Sequence, residues 1–138
     1  MKKTFRKLIL WGALVPVLGG CGNKLNFTAE ERRILTTQQG KIMRLYTVDQ
    51  KKDSLILRKK SLKLEKKDLS SEYYRYLKAG LLLTVRDSAN EGVGIAAPQV
   101  GISKRLIVVQ RFDKEGEPFE CYVNPEIVFY SGERVSGP

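Results

Sequence analysis

The stretch Gly92-Val93-Gly94-Ile95-Ala96-Ala97-Pro98-Gln99 combines small residues with one amide side chain. Gly92 and Gly94 carry no Cβ, so another backbone can approach them closely. Ala96 and Ala97 let the segment pack tightly on what lies beneath it. Gln99 offers both an amide donor and a carbonyl acceptor. Together these residues suit an extended peptide that pairs with residues 92–94 as an added strand. The Gln99 amide would then face an oxyanion developing on that peptide. The chain contains no histidine, which excludes imidazole acid–base catalysis and His-ligated metal from these 138 residues.

The same residues satisfy G-x-G-x-x-A, a spacing that can cradle a dinucleotide pyrophosphate. That use needs a strand before the glycines and a helix starting within them. Here a helical pattern comes first, Pro98 and Gly101 follow, and then a strand. Asp113, at the distance expected of a ribose ligand, falls in a turn. The match therefore carries little weight.

The elements around this stretch are legible. Residues 70–88 read as one helix, with Ser70 or Ser71 as cap and Glu72 in the first turn, where the helix dipole favours an anion. Tyr73, Tyr76, Leu77, Leu81 and Val85 recur at helical spacing and form a core-facing stripe, which Tyr74 and Leu82 widen. Asn90 is the expected stop. Residues 104–111 (KRLIVVQR) read as a buried strand. Residues 112–118 are a turn in which Gly116 takes positive φ. A second strand over 119–130 is interrupted at Asn124-Pro125, since Pro125 cannot donate to a ladder. Its outer edge would be an exposed liability. Ile42 to Tyr46 reads as a short strand or turn. An α+β arrangement follows, one helix packed on antiparallel strands.

Residues 51–67 carry eight basic and two acidic residues. They read as solvated charge around an extended segment that buries Leu55, Leu57, Leu62 and Leu64. Aromatic residues interleaved with the charge, expected of a single-strand nucleic-acid surface, are missing. Net charge is +10, part of it from Lys2, Lys3, Arg6 and Lys7. No nucleic-acid partner is assigned.

The N-terminus reads as an address. A basic start precedes the apolar run Leu8 to Leu18, which falls short of the ~20 residues that span a bilayer as a helix. This is the pattern of a secretory signal. Leu18-Gly19-Gly20-Cys21 resembles a bacterial lipobox, which implies acylation of Cys21 and a tether to a membrane face. The expected division is a signal peptide over 1–20, a polar tether over 21–30 and a domain over 31–138. The expected location is the periplasmic or surface face of a bacterial membrane, with the cytoplasm as the alternative. Cys121 needs a separate explanation, as a small buried strand residue.

The block Gly92, Gly94, Ala96, Ala97 and Gln99 closely resembles the first signature of peptide deformylases, G-x-G-x-A-A-x-Q. Asp53 to Arg58 followed by Ser61, the strand RLIVV, and Tyr122-Val123-Asn124-Pro125-Glu126-Ile127 are similar to that family's order of elements. The resemblance covers roughly residues 32–138. It implies metal-dependent removal of the formyl group from N-formylmethionyl peptides, with Fe²⁺, Zn²⁺ or Ni²⁺ lowering the pKa of a bound water. It implies that Gln99 bonds that water and the oxyanion. The Gly94 backbone would pair with substrate, with Gly92 beside it, and Val93 would line the methionine pocket.

The family's other two signatures, E-G-C-L-S and H-E-x-x-H, are absent from these residues, and Cys121 does not sit in a Glu-Gly-Cys setting. No metal ligand is therefore assigned. The resemblance implies a deformylase domain missing its C-terminal, metal-binding helix. The 138 residues alone are expected to be an inactive and marginally stable fragment. The alternative is a non-catalytic lipoprotein that binds extended peptides.

Overall fold

The structure is a computed structural model that describes residues 24–89 and 92–132. Four helices come in chain order: α1 (Ala29–Thr37), α2 (Lys51–Leu57), α3 (Lys66–Leu69) and α4 (Glu72–Val85). Three strands follow, β1 (Gly94–Ala96), β2 (Leu106–Gln110) and β3 (Phe119–Val123). A 3₁₀ turn, Ala97–Val100, joins β1 to the connection with β2. Expected Asn90 and Cys21 lie outside the described residues.

The α4 helix forms where the caps and the stripe place it. The Ser71 hydroxyl accepts the Tyr74 N–H at 3.3 Å, which satisfies one of the free donors of the first turn. Leu77, Leu81 and Val85 are buried in one core with Leu106 and Val108 of β2. Each such side chain contributes about 1.5–3 kcal/mol by leaving water. The sheet is antiparallel throughout, in the order β1-β2-β3. Gly94 pairs with Val109 and Ala96 with Ile107, while Val108 pairs with Cys121. The β2–β3 turn places Gly116 at φ 73°, as the sequence predicts. Arg111, Asp113, Lys114, Glu120 and Tyr122 interlock across this hairpin. Hydrogen bonds from Lys114 and then Tyr122 lower the Glu120 carboxyl to about 2.

The segment 51–67 is not extended, as its sequence suggested. It holds α2 and α3, and Leu55 and Leu62 are exposed, Leu57 is half-buried and Leu64 is in the core. The apparent alternation of Leu55 and Leu57 is only two residues long. The inward face of α2 is instead set by Asp53, which is buried and meets Arg44 at 2.7 Å. The α1 helix was not expected either. Its capping box is complete: Thr28 Oγ1 accepts the Glu31 N–H at 3.1 Å and the Glu31 carboxylate accepts the Thr28 N–H at 2.8 Å. Packing begins inside the stretch read as a tether, where Phe27 is fully buried. The strand that the sequence suggests over 119–130 ends at Val123 and does not resume over 125–130, and Asn124 at its end acts as a clamp. Asn124 takes φ 52°, ends β3, and its side chain bonds both the N–H and the C=O of Leu64 at 2.8 Å.

Candidate functional site

The glycine-rich stretch forms an edge strand followed by a tight turn. Pro98 stands in the first turn of the 3₁₀ segment, where its fixed φ fits and its missing N–H costs nothing. Gly101 closes the segment in the left-handed region at φ 82°. Its N–H donates to Pro98 O, and the Ile102 N–H donates to Ala97 O, both at 3.0 Å. This is the usual way of satisfying the last carbonyls of a helical turn. Ala97 and Val100 are fully buried, so the turn is anchored and Gln99 is left exposed between them.

The ladder decides which backbone groups stay open. The Val93 C=O accepts the Gln110 N–H at 2.7 Å, so this pair is hydrogen-bonded. In an antiparallel ladder bonded and non-bonded pairs alternate. Ile95 therefore bonds toward Val108, while Gly94 and Ala96 direct their N–H and C=O away from β2. The Ala96 N–H confirms the direction, because Gln99 Oε1 accepts it at 2.8 Å. The Gly94 N–H and C=O face the outer edge of β1, which has no strand beside it among the described residues. A Cβ on Gly94 would stand 3.2 Å from both Val108 O and a Val109 methyl, so glycine also keeps this edge close to β2.

Gln99 is held at both ends. Its side-chain oxygen is committed to Ala96, which leaves Nε2 as the donor presented outward. Its backbone C=O accepts the Tyr46 N–H at 2.8 Å. The Tyr46 ring fills the space a Gly101 side chain would occupy, and Arg44 stacks on that ring at 4.3 Å. Sequence reasoning missed this support, because nothing near Ile42–Tyr46 in the chain signals a partner at Gln99. It also missed Thr84, whose hydroxyl accepts the Met43 N–H at 2.8 Å and donates to Gly80 O at 2.7 Å. That bond fixes the 43–46 segment on α4.

Gly92, Gly94 and Gln99 converge on a small cavity of about 90 Å³, shared with Leu45, Thr84, Val85 and Ile95. Val93 is exposed and does not line it. None of the lining side chains is titratable. The site as built can pair with a backbone and donate an amide hydrogen, but it holds no group to take or give a proton.

The residues present do not fit a catalytic metal. Among the described residues no three or more His, Cys, Asp or Glu side chains cluster as ligands would. Cys121 lies on β3, with β2 between it and the Gly94 edge. Burial pushes its thiol up, and Tyr74 lies against it. A thiol held protonated is a poor ligand.

The sequence model of the family described as Polypeptide deformylase matches residues 42–137. Peptide deformylase 1 of Clostridium acetobutylicum is 43% identical over 86 residues, 58% of this chain and 47% of that protein. The peptide deformylase of Stenotrophomonas maltophilia is 34% identical over 79 residues, 57% of this chain and 45% of that protein. This chain thus spans less than half the length of these curated relatives. A Met-Ala-Ser-bound class I type b peptide deformylase from Acinetobacter baumannii superposes with a TM-score of 0.53 at 30% identity, covering 67% of this chain and 58% of that one. An actinonin complex of the Ehrlichia chaffeensis enzyme gives 0.53 at 32%, covering 68% and 52%. The family match runs through the Gly94 edge, the Gln99 turn and the β2–β3 hairpin, across more than half of the sequence, and the chain therefore belongs to the polypeptide deformylase family.

Proposed function

We propose that these residues form the peptide-pairing part of a peptide deformylase site acting on N-formylmethionyl peptides. The observation that carries this reading is the open Gly94 edge with the Gln99 amide beside it. An extended peptide lies along β1 and exchanges hydrogen bonds with the Gly94 N–H and C=O. Val93, exposed next to this edge, contacts the methionine side chain. Gln99 Nε2 donates to the oxygen that gains charge when the formyl carbon is attacked. The family relation implies Fe²⁺, Zn²⁺ or Ni²⁺ for that attack. The ligands for it are not among these residues, so no step is assigned to them beyond binding and orientation.

The test is binding of N-formyl-Met-Ala-Ser to the full 138-residue chain, followed by amide shifts in nuclear magnetic resonance. Shifts should centre on Gly94 and Gln99. Methylating the peptide nitrogen that faces Gly94 should weaken binding about tenfold, the worth of one to two hydrogen bonds. Equal affinity for the methylated peptide would rule out strand pairing. The same preparation should hold no stoichiometric iron, zinc or nickel and should not deformylate the peptide. Stoichiometric metal, or deformylation of the peptide, would overturn the inactivity of the chain alone.

The lack of a titratable group in the cavity favours a second reading, a lipoprotein that binds extended peptides without cleaving them. Reading the source gene past the codon for Pro138, for E-G-C-L-S and H-E-x-x-H, separates the two. Both readings place the chain on an exported membrane face through lipid on Cys21, supported by the basic head, short apolar run and Leu18-Gly19-Gly20-Cys21. Radiolabelled palmitate should enter the protein in cells and should be lost in Cys21→Ser. Label retained in that variant would remove the lipid anchor from the proposal.

A further inference from the structure

The α2 helix leaves Leu55 in solvent, 68% exposed, where the sequence suggested burial. Lys51 and Lys52 stand one turn before it, and Arg58 and Lys59 one turn after. Residues at these spacings share a helix face, so Lys51, Lys52 and the C-cap Arg58 flank the leucine, and Lys59 follows just past the helix end. All four are exposed, as is Lys60. Val48 precedes the helix at 66% exposure and Leu62 follows it at 52%. The acidic residue of α2, Asp53, points the other way and is consumed by Arg44. Lys63 is engaged by Glu126 and Glu65 by Lys67, and Asp49 is the remaining carboxylate of this stretch. Among the described residues Lys51, Lys52, Arg58, Lys59 and Lys60 form no ion pair.

A solvated face requires the lysines but has no use for exposed Leu55, Leu62 and Val48 among them. A lipid surface uses both. Cations near an anionic headgroup layer are attracted to it, and apolar side chains between them enter the acyl boundary. We propose that the α2 face, centred on Leu55, docks this chain on an anionic lipid surface. The opposite side of α2 packs against the 3₁₀ turn that carries Gln99. Docking would therefore seat the peptide-pairing edge close to the membrane. The patch carries no exposed aromatic side chain for base stacking, which disfavours a single-stranded nucleic acid as its partner.

The test uses the full chain with Leu55→Trp in a Trp11→Phe background, so that one indole reports on this face. Vesicles of equimolar phosphatidylglycerol and phosphatidylcholine should shift its emission to the blue, and pure phosphatidylcholine should not. Combining this with Lys51→Glu, Lys52→Glu, Lys59→Glu and Lys60→Glu should weaken the phosphatidylglycerol-dependent binding by more than about tenfold. The same component should weaken with added salt in the chain without the charge reversals, a readout that does not depend on how that variant folds. An unshifted indole overturns the proposal, as does a shift that is equal in both vesicles. Binding of polyuridylate with the same loss on charge reversal, and no lipid-dependent shift, would assign the patch to nucleic acid instead.

Discussion

Replacing Glu31 by alanine is expected to lower the unfolding free energy by about 3–5 kcal/mol, the range for breaking a buried ion pair from one side. Glu31 ties the start of α1 to the segment Ser103–Lys104 that leads into β2. Its carboxylate receives the Lys104 ammonium at 2.7 and 3.0 Å, with both side chains nearly inaccessible. It also accepts the Ser103 N–H at 2.9 Å and the Thr28 N–H at 2.8 Å. Removing it strands a buried ammonium and a buried amide together, and takes away one half of the α1 capping box. Lys104→Met should cost less, about 1–3 kcal/mol, because the carboxylate keeps its two backbone donors and the methionine stem still packs near Phe27. Urea unfolding followed by circular dichroism measures both. A Glu31→Ala loss no larger than that of Lys104→Met would show that the ion pair, and not the convergence on Glu31, holds the N-terminal helix in place. Where Glu31→Ala fails to fold, the Lys104→Met value still tests the smaller estimate.

Gly101→Ala is expected to cost about 3 kcal/mol, combining the left-handed backbone penalty with overpacking. Gly101 sits at φ 82°, and a Cβ there would lie 2.7–2.8 Å from the Tyr46 ring. That ring cannot swing away freely, since its own backbone N–H is tied to Gln99 and Arg44 covers its face. Gly116 provides the control. It has φ 73° and nothing within 4 Å of the same atom, so Gly116→Ala should cost only about 1 kcal/mol from the backbone alone. Thermal and urea unfolding of the two variants should differ by the contact with Tyr46. The Gly101 variant should also bind N-formyl-Met-Ala-Ser more weakly, because the turn that aims Gln99 is displaced. Equal stability losses at the two glycines would remove Tyr46 from the support of the site.

Much of this was legible before the structure. The α4 helix, the β2 strand, the turn at Gly116 and the break at Asn124 each follow from signals a few residues long. Caps, helical spacing, positive φ and the missing proline donor act on their own neighbourhood. The functional stretch was legible for a similar reason, since glycines and an amide at fixed spacing restrict what can lie against them. The α1 helix was missed because its N-terminus is marked by Thr28 and Glu31, a short cue inside a stretch read as a polar tether.

The sequence alone thus determined the chemistry on offer: a backbone edge, one amide donor, no imidazole, and a basic segment. Only the tertiary structure decided how that chemistry is used. Whether Gly94 opens outward depends on the register with Val109, and Gln99 is aimed by Ala96 and Tyr46 together. Glu31 became a junction only when Lys104 arrived from the far side of the chain. Leu55 lies in solvent while Asp53 is the buried residue of its helix. Each of these rests on partners distant in sequence, where local propensity carries no information and packing selects one arrangement.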